Sequence, residues 1–174
     1  MTVLITGATG LVGQELVNLL LQNGHNVHYL STSKSKLVTN TNYKGFYWNP
    51  KKAEIDTNAL TGVEVIIHLA GANVAKKWTT AYKEEIIESR VLSTQLLYQT
   101  LQKNSHQVKQ IISASAVGIY PDSLTDIYHE TDLDIDVSFL GNVVKQWENE
   151  VSQFEKLEII VSKIRIGIVL AKNG

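Results

Sequence analysis

Cysteine is absent from this sequence, which excludes disulfides, thiolate metal ligands and a cysteine nucleophile. The same absence fits a reducing compartment, and a cytoplasmic protein is the expectation. Proline is scarce: Pro50 and Pro121 are the only two, and both fall where secondary structure is expected to stop. No stretch approaches the roughly 18 uninterrupted apolar residues of a membrane-spanning helix. The first residues also lack the basic region of a secretory signal. Neither sign of charge dominates, with 16 Lys and Arg against 17 Asp and Glu and a net charge of −1. Because the two signs are interspersed, no nucleic-acid footprint and no polybasic membrane surface is expected. The five histidines, His25, His28, His68, His106 and His129, show no metal-ligand spacing, so no metal is expected. One local absence matters more than these: no acid occurs between Gln22 and Glu54.

What is present is a chain of 174 residues, 44% hydrophobic and 19% charged, enough for one ordinary core. One domain over residues 1–174 is the expectation. Val3, Leu4 and Ile5 suit a buried strand, which runs into Gly7, Gly10 and Gly13 and then into a helix with Leu16, Val17, Leu19 and Leu20 on its inner face. A strand, a glycine turn and a helix start in that order make a phosphate cradle. Gly7 permits the tight turn, Gly10 removes a Cβ from the path of a pyrophosphate, and Gly13 allows close helix packing, while the helix N-terminus offers N–H groups. Thr9, Leu11 and Val12 lie in the same turn.

Further along, Asn26 to Leu30 reads as a strand, Ser31 to Asn42 as a polar loop or weak helix, and Lys44 to Trp48 as another strand. Val63 to Leu69 is a buried strand, Thr79 to Asn104 the longest helix, and Val108 to Ser113 a strand. Leu140 to Phe154 is an amphipathic helix and Glu158 to Leu170 a closing strand. Strands alternating with helices predict an α/β fold: a Rossmann-like, doubly wound parallel sheet in three layers.

The loop after the second strand is where such folds read the adenosine ribose. An acid there accepts from the ribose hydroxyls and repels a 2′-phosphate. Here the loop offers Ser31, Thr32, Ser33 and Lys34 instead, which suit that phosphate, so NADP is expected over NAD. A merely solvated polar loop is the other reading.

Several strings together resemble one family. Thr6 to Gly13 (T-G-A-T-G-L-V-G) is similar to the cofactor motif of extended and atypical short-chain dehydrogenases, and His68-Leu69-Ala70-Gly71-Ala72 to their alanine-glycine motif. Trp78-Thr79, Lys83, Ile86 and Ser89-Arg90-Val91, with Ser113 to Tyr120 and Arg165 to Leu170, resemble the sugar-nucleotide-epimerase-like branch, the NAD-dependent epimerase/dehydratase family. The resemblance implies a dinucleotide cofactor held by the glycine turn, by Leu69, Ala70 and Gly71, and near Arg90. A helix-surface salt bridge of Arg90 with Glu85 or a neighbouring acid is the competing reading. It implies a small-molecule substrate, and a C-terminal region closing over it that would begin about where this chain reaches Gly174. Dinucleotide binding with little turnover is therefore expected.

The resemblance also locates the catalysis. Members of the wider group use a Tyr-x-x-x-Lys pair, the lysine lowering the pKa of the phenol. With Glu148 as anchor, Leu140 and Val144 occupy those positions, and Lys145 is one residue out of register, about 100° around the helix. Ser115 matches the substrate-facing serine and Tyr120 is the candidate proton donor. Their ordinary alternatives are a serine satisfying backbone groups and a half-buried aromatic. A non-catalytic dinucleotide-binding or redox-sensing module is the rival to an epimerase or oxidoreductase.

Overall fold

The computed structural model describes residues 1–170. Its elements are β1 (Thr2–Thr6), α1 (Leu11–Gln22), β2 (Asn26–Ser31), β3 (Tyr43–Asn49), β4 (Glu54–Ile55), β5 (Val63–His68), α2 (Thr80–Lys103), β6 (Gln110–Ala116), α3 (Phe139–Ser152) and β7 (Ile160–Ile166). Among the described residues the seven strands form one sheet in the order β4-β3-β2-β1-β5-β6-β7. All neighbours run parallel except β4, which lies antiparallel on β3.

Alternation along β1 divides the core in two. Val3 and Ile5 point to one face, where Val17 of α1 joins Val27 and Tyr29 of β2. Leu4 points to the other, where α2 lays Leu96, Leu97 and Leu101 against Ile66 of β5 and Ile111 of β6. Each such aliphatic side chain, fully buried, contributes about 1.5–3 kcal/mol. Helix α3 packs beside α2 and buries Val143, Val144, Trp147 and Val151. Side-chain caps start both long helices, Thr79 Oγ1 accepting from the Tyr82 N–H at 3.2 Å and Ser138 Oγ from the Gly141 N–H at 3.2 Å.

Three expectations move. The two-residue strand β4 falls below the length that periodicity detects. Strand β6 begins and ends later than Val108 to Ser113, so Ser115 lies inside the strand, paired with Arg165 of β7, and not beyond it. The closing strand starts at Ile160, after Glu158 takes a left-handed turn at φ 59°, and stops at Ile166 before Gly167. Residues 171–174, at the expected junction with a further region, lie outside the described residues.

The chain leaves β1 toward β2 and leaves β5 toward β6, so the strand order reverses between the neighbours β1 and β5. Crossovers that diverge in this way open a crevice beyond the carboxyl ends of the strands.

Candidate functional site

At the mouth of that crevice Gly7 adopts φ +73°, and the Gly10 N–H closes the turn on the Gly7 carbonyl at 3.0 Å. A Cβ on Gly7 would meet the Leu69 carbonyl at 2.9 Å, and one on Gly13 would stand 2.2 Å from the Gly7 oxygen. Neither position accepts a side chain, so the first turn of α1 sits directly under the loop and aims its N–H groups into the crevice.

A buried polar chain fixes this turn to the next strand. Thr6 Oγ1 accepts from the N–H groups of Leu69 and Ala70, each at 3.1 Å, and its own hydrogen goes to His68 Nδ1 at 2.7 Å. The imidazole must then carry its proton on Nε2, which donates to Thr94 Oγ1 at 3.0 Å. Burial, helped by the nearby charge of Arg90, pushes His68 down to about 4 and keeps it neutral. The ends of β1 and β5 are thereby tied to α2.

The crevice has two lobes that meet at Gly7, Ala70 and Gly71. One, of about 460 Å³, is lined by Gly10, Leu11, Val12, Gly13, Leu69, Arg90, Ser115, Leu140, Val144 and Trp147, among others. The other, of about 500 Å³, takes in Thr9, Ser31, Thr32, Ser33, Lys36 and Lys51, with Glu85 and Glu88 entering from α2. Of the residues expected to hold a cofactor, Lys34 is the exception. Its ammonium lies 4.9 Å from the Tyr47 ring centre, while Lys36, two residues on, lines the lobe. The reason is a short 3-10 turn at Lys34–Lys36, which swings successive side chains apart. Tyr29 pins that turn, its hydroxyl donating to the Lys36 carbonyl and accepting from the Val38 N–H, both at 2.7 Å. Nor is the lobe free of acids, as the sequence between Gln22 and Glu54 suggests. Glu85 and Glu88 reach it from a distant helix, and Lys51 holds both, at 2.5 Å and 3.0 Å. Glu85 is thus engaged with Lys51, and the expected alternative of a Glu85–Arg90 pair does not form.

Ser115 lines the first lobe, 4% exposed, yet its hydroxyl hydrogen is already given to the Glu148 carboxylate. Arg165 grips the same carboxylate with two parallel bonds, Nε to Oε1 and Nη2 to Oε2, each 3.0 Å. Burial alone would push the Glu148 carboxyl up, but the hydrogen bonds from Arg165 and Ser115 outweigh it and hold the group below its ordinary range. The pairing in turn raises the Arg165 pKa. Tyr120 sits at the far end of this chain and not in the lobe. Its hydroxyl accepts from Arg165 Nη1 and donates to the His129 carbonyl at 3.0 Å, and it lines a separate small cavity. Ser115 and Tyr120 are therefore joined through Glu148 and Arg165 without facing one reacting atom. In the sequence Glu148 stands as one acid of a helix and Arg165 as one residue of a strand motif. Nothing in their spacing announces the pair, because it forms between a helix and a strand.

On the α3 wall Leu140 and Val144 face the lobe as the register requires, while Lys145 points to the small cavity beside Tyr120. Trp78 and Lys83 line neither lobe; both pack on Phe139, at 5.4 Å and 5.1 Å from its ring centre. Arg90 lies over the Trp147 ring at 5.2 Å and beside Gly71, and its burial lowers its pKa.

A parallel sheet with helices on both faces, a glycine cradle at the strand-order reversal and a helix N-terminus beneath it define a Rossmann-like nucleotide-binding domain. The chain belongs to the NAD dependent epimerase/dehydratase family, whose model matches residues 3–138. An epimerase family protein of Staphylococcus saprophyticus is 34% identical over 98% of this chain and 56% of its own length, so the chain spans about half of the curated relatives it matches. Among solved structures, a nucleoside-diphosphate sugar epimerase from Corynebacterium glutamicum covers the whole chain at TM-score 0.79 and 31% identity, with 35% of its own chain matched. The human epimerase family protein SDR39U1, solved with NADPH, covers it at TM-score 0.76 and 25% identity, with 56% of its own chain matched.

Proposed function

We infer that this chain is the cofactor-binding domain of an NADP(H)-dependent epimerase or oxidoreductase of the atypical short-chain dehydrogenase type, acting on a nucleotide sugar or another small carbonyl or alcohol. The observation that carries this reading is the two-lobed groove joined at Gly7 and Gly71 over the N-terminus of α1, a shape that fits a dinucleotide bent around its pyrophosphate. The cysteine-free composition supports a cytoplasmic setting.

The family description names NAD and the human structure holds NADPH. In favour of NADP stand the hydroxyls of Ser31, Thr32 and Ser33 with Lys36 at the adenosine end. A bound nicotinamide would accept or donate a hydride in the first lobe. Ser115, whose hydrogen is committed to Glu148, presents lone pairs and so accepts from a substrate alcohol. Leu140 and Val144 exclude water there but move no proton, which is the observation favouring a purely binding role as the second reading.

Calorimetric titration tests the assignment. NADPH should bind, and Gly10→Val should abolish binding with a native circular dichroism spectrum, because Gly10 has an ordinary φ of −83° and a Cβ there meets one atom, the Gly7 carbonyl oxygen at 3.3 Å, in the turn that forms the cradle. Lys36→Glu should weaken NADPH about tenfold or more, the worth of one charge-assisted contact of about 1.5–3 kcal/mol, and leave NADH unaffected. Lys34→Glu should do much less. Equal affinity of the wild type for NADH and NADPH would refute the NADP preference. NADPH binding with no turnover on any carbonyl or nucleotide sugar, in this chain and in its full-length relatives, would favour the binding-module reading.

A further inference from the structure

The adenosine lobe carries two acids as well as the hydroxyls that suit a 2′-phosphate. Lys36, Lys51, Glu85 and Glu88 are the charged side chains that line it, two of each sign. Glu85 and Glu88 stand about one turn apart on α2 and so present both carboxylates from one side of the helix. A lobe of about 500 Å³ is comparable in width to the Debye length, about 8 Å at physiological ionic strength, so these charges act on any phosphate inside it. Left bare, the two carboxylates would repel a 2′-phosphate as an acid in the loop after β2 does.

Lys51 answers them. Its ammonium lies 2.5 Å from Glu85 Oε2 and 3.0 Å from Glu88 Oε2 and is, among the described residues, the one cation paired with either. The lysine reaches α2 from a turn that is fixed independently of the helix. Pro50 opens the 3-10 turn Pro50–Lys52, Asn49 Oδ1 accepts from the Lys52 N–H at 3.3 Å, and Ala53 closes it in the left-handed region at φ 53°. Strand β4 then pairs back on β3, Trp48 with Ile55 and Asn49 with Glu54. The side chain of Lys51 is 54% exposed, so its ion pairs add little stability, and what it changes is the charge of the wall. With Lys51 the four charges of the lobe cancel; without it the lobe is left with an excess of negative charge.

We propose that Lys51 is a specificity-determining residue of the adenosine lobe: by neutralising Glu85 and Glu88 it admits a ribose that carries a 2′-phosphate, and without it the same lobe turns toward the unphosphorylated dinucleotide. This inference rests on the reading of the groove as a dinucleotide site. NADPH and NADH differ only in that phosphate, so the ratio of their affinities isolates the effect from any general loosening of the groove.

Calorimetric titration of both nucleotides into the wild type, Lys51→Gln and the triple variant Lys51→Gln/Glu85→Gln/Glu88→Gln tests it, at low salt and again at high salt. At low salt Lys51→Gln should weaken NADPH about threefold or more and NADH less than twofold, and high salt should shrink the difference. The triple variant should return the NADPH to NADH ratio to within twofold of the wild type, and Lys51→Arg should keep it. An equal loss of both nucleotides in Lys51→Gln would make the ion pairs a structural clasp and overturn the proposal. A selective loss that the glutamine substitutions do not rescue overturns it too, because Lys51 would then contact the phosphate itself. Should Lys51→Gln not fold, Glu85→Gln/Glu88→Gln decides: a rise in the ratio supports the proposal and no rise overturns it. A wild type that prefers NADH would refute the NADP preference alone, since the change in the ratio still decides Lys51. A wild type that binds neither nucleotide would refute the cofactor reading and this proposal with it.

Discussion

His68 shows how one side chain couples the site to stability. Its neutral form is wired in place: Thr6 gives it a hydrogen at Nδ1, and a second proton there would face that hydrogen in a site closed to water. The folded value of about 4 lies below the ordinary 6.5, so the unfolded chain binds the proton first. Stability is therefore complete above pH 6.5 and falls as the pH drops from 6.5 toward 4, by about 3 kcal/mol in all. Urea unfolding at pH 7.5 and pH 5 should differ by about 2 kcal/mol from this group. His68→Gln should be less stable at pH 7.5 but nearly flat over that interval, and an unchanged slope would separate the acid sensitivity from His68. The carboxyl of Glu148, held low, acts in the same direction but only below its ordinary value of 4.5, so the two windows are distinguishable.

At the scale of elements, Glu148 and Arg165 clamp α3 to β7 and set the hydroxyl of Ser115. Arg165→Leu leaves a buried carboxylate with the Ser115 hydroxyl and, as its one remaining counter-charge among the described residues, Lys163 at 4.0 Å, and should cost about 3 kcal/mol. Removing both charges in Glu148→Met/Arg165→Leu should cost less than the single change, since no uncompensated charge remains. Denaturant curves on the wild type, both single variants and the double variant check this, and strictly additive losses would mean the pair is not coupled. The clamp also marks the limit of sequence reading. Helix α3 and strands β1, β2 and β5 were legible from their apolar patterns and from the caps or glycines at their ends, and α2 from its length and the spaced aliphatic residues Ile86 to Leu101, although Ser93, Thr94 and Thr100 share its buried face. Strand β4 has only two residues, and the small alternating residues of Ser113 to Ala116 look like a turn until β7 pairs with them. The glycine cradle was legible because strand, turn and helix are contiguous. Lys36 in place of Lys34, and the acids Glu85 and Glu88 beside the loop, were not, because one depends on the pitch of a short 3-10 turn and the other on where α2 crosses the sheet.

For the molecule as a whole, the groove collects residues from β2, β3, β6 and β7, from the loops that follow β1 and β5, and from all three α-helices, so a ligand in it bears on the sheet and not on one loop. A ligand that binds only the folded chain stabilises it by RT ln(1 + [L]/Kd), about 2.7 kcal/mol at a hundredfold excess over Kd. In a domain of this size that corresponds to a rise of about 5–10 °C in Tm. NADH at the same concentration, if bound tenfold more weakly as the adenosine lobe implies, contributes about 1.4 kcal/mol and about half the shift. Scanning calorimetry at pH 8, above the titration of His68, should show a single transition that moves by these amounts, and Gly10→Val should show no movement with either nucleotide. Two transitions, of which only one responds to NADPH, would mean that the halves of the sheet on either side of the crevice unfold independently. The polar chain from Thr6 through His68 to Thr94 argues against that outcome, because it ties β1, β5 and α2 together at the junction of the two lobes.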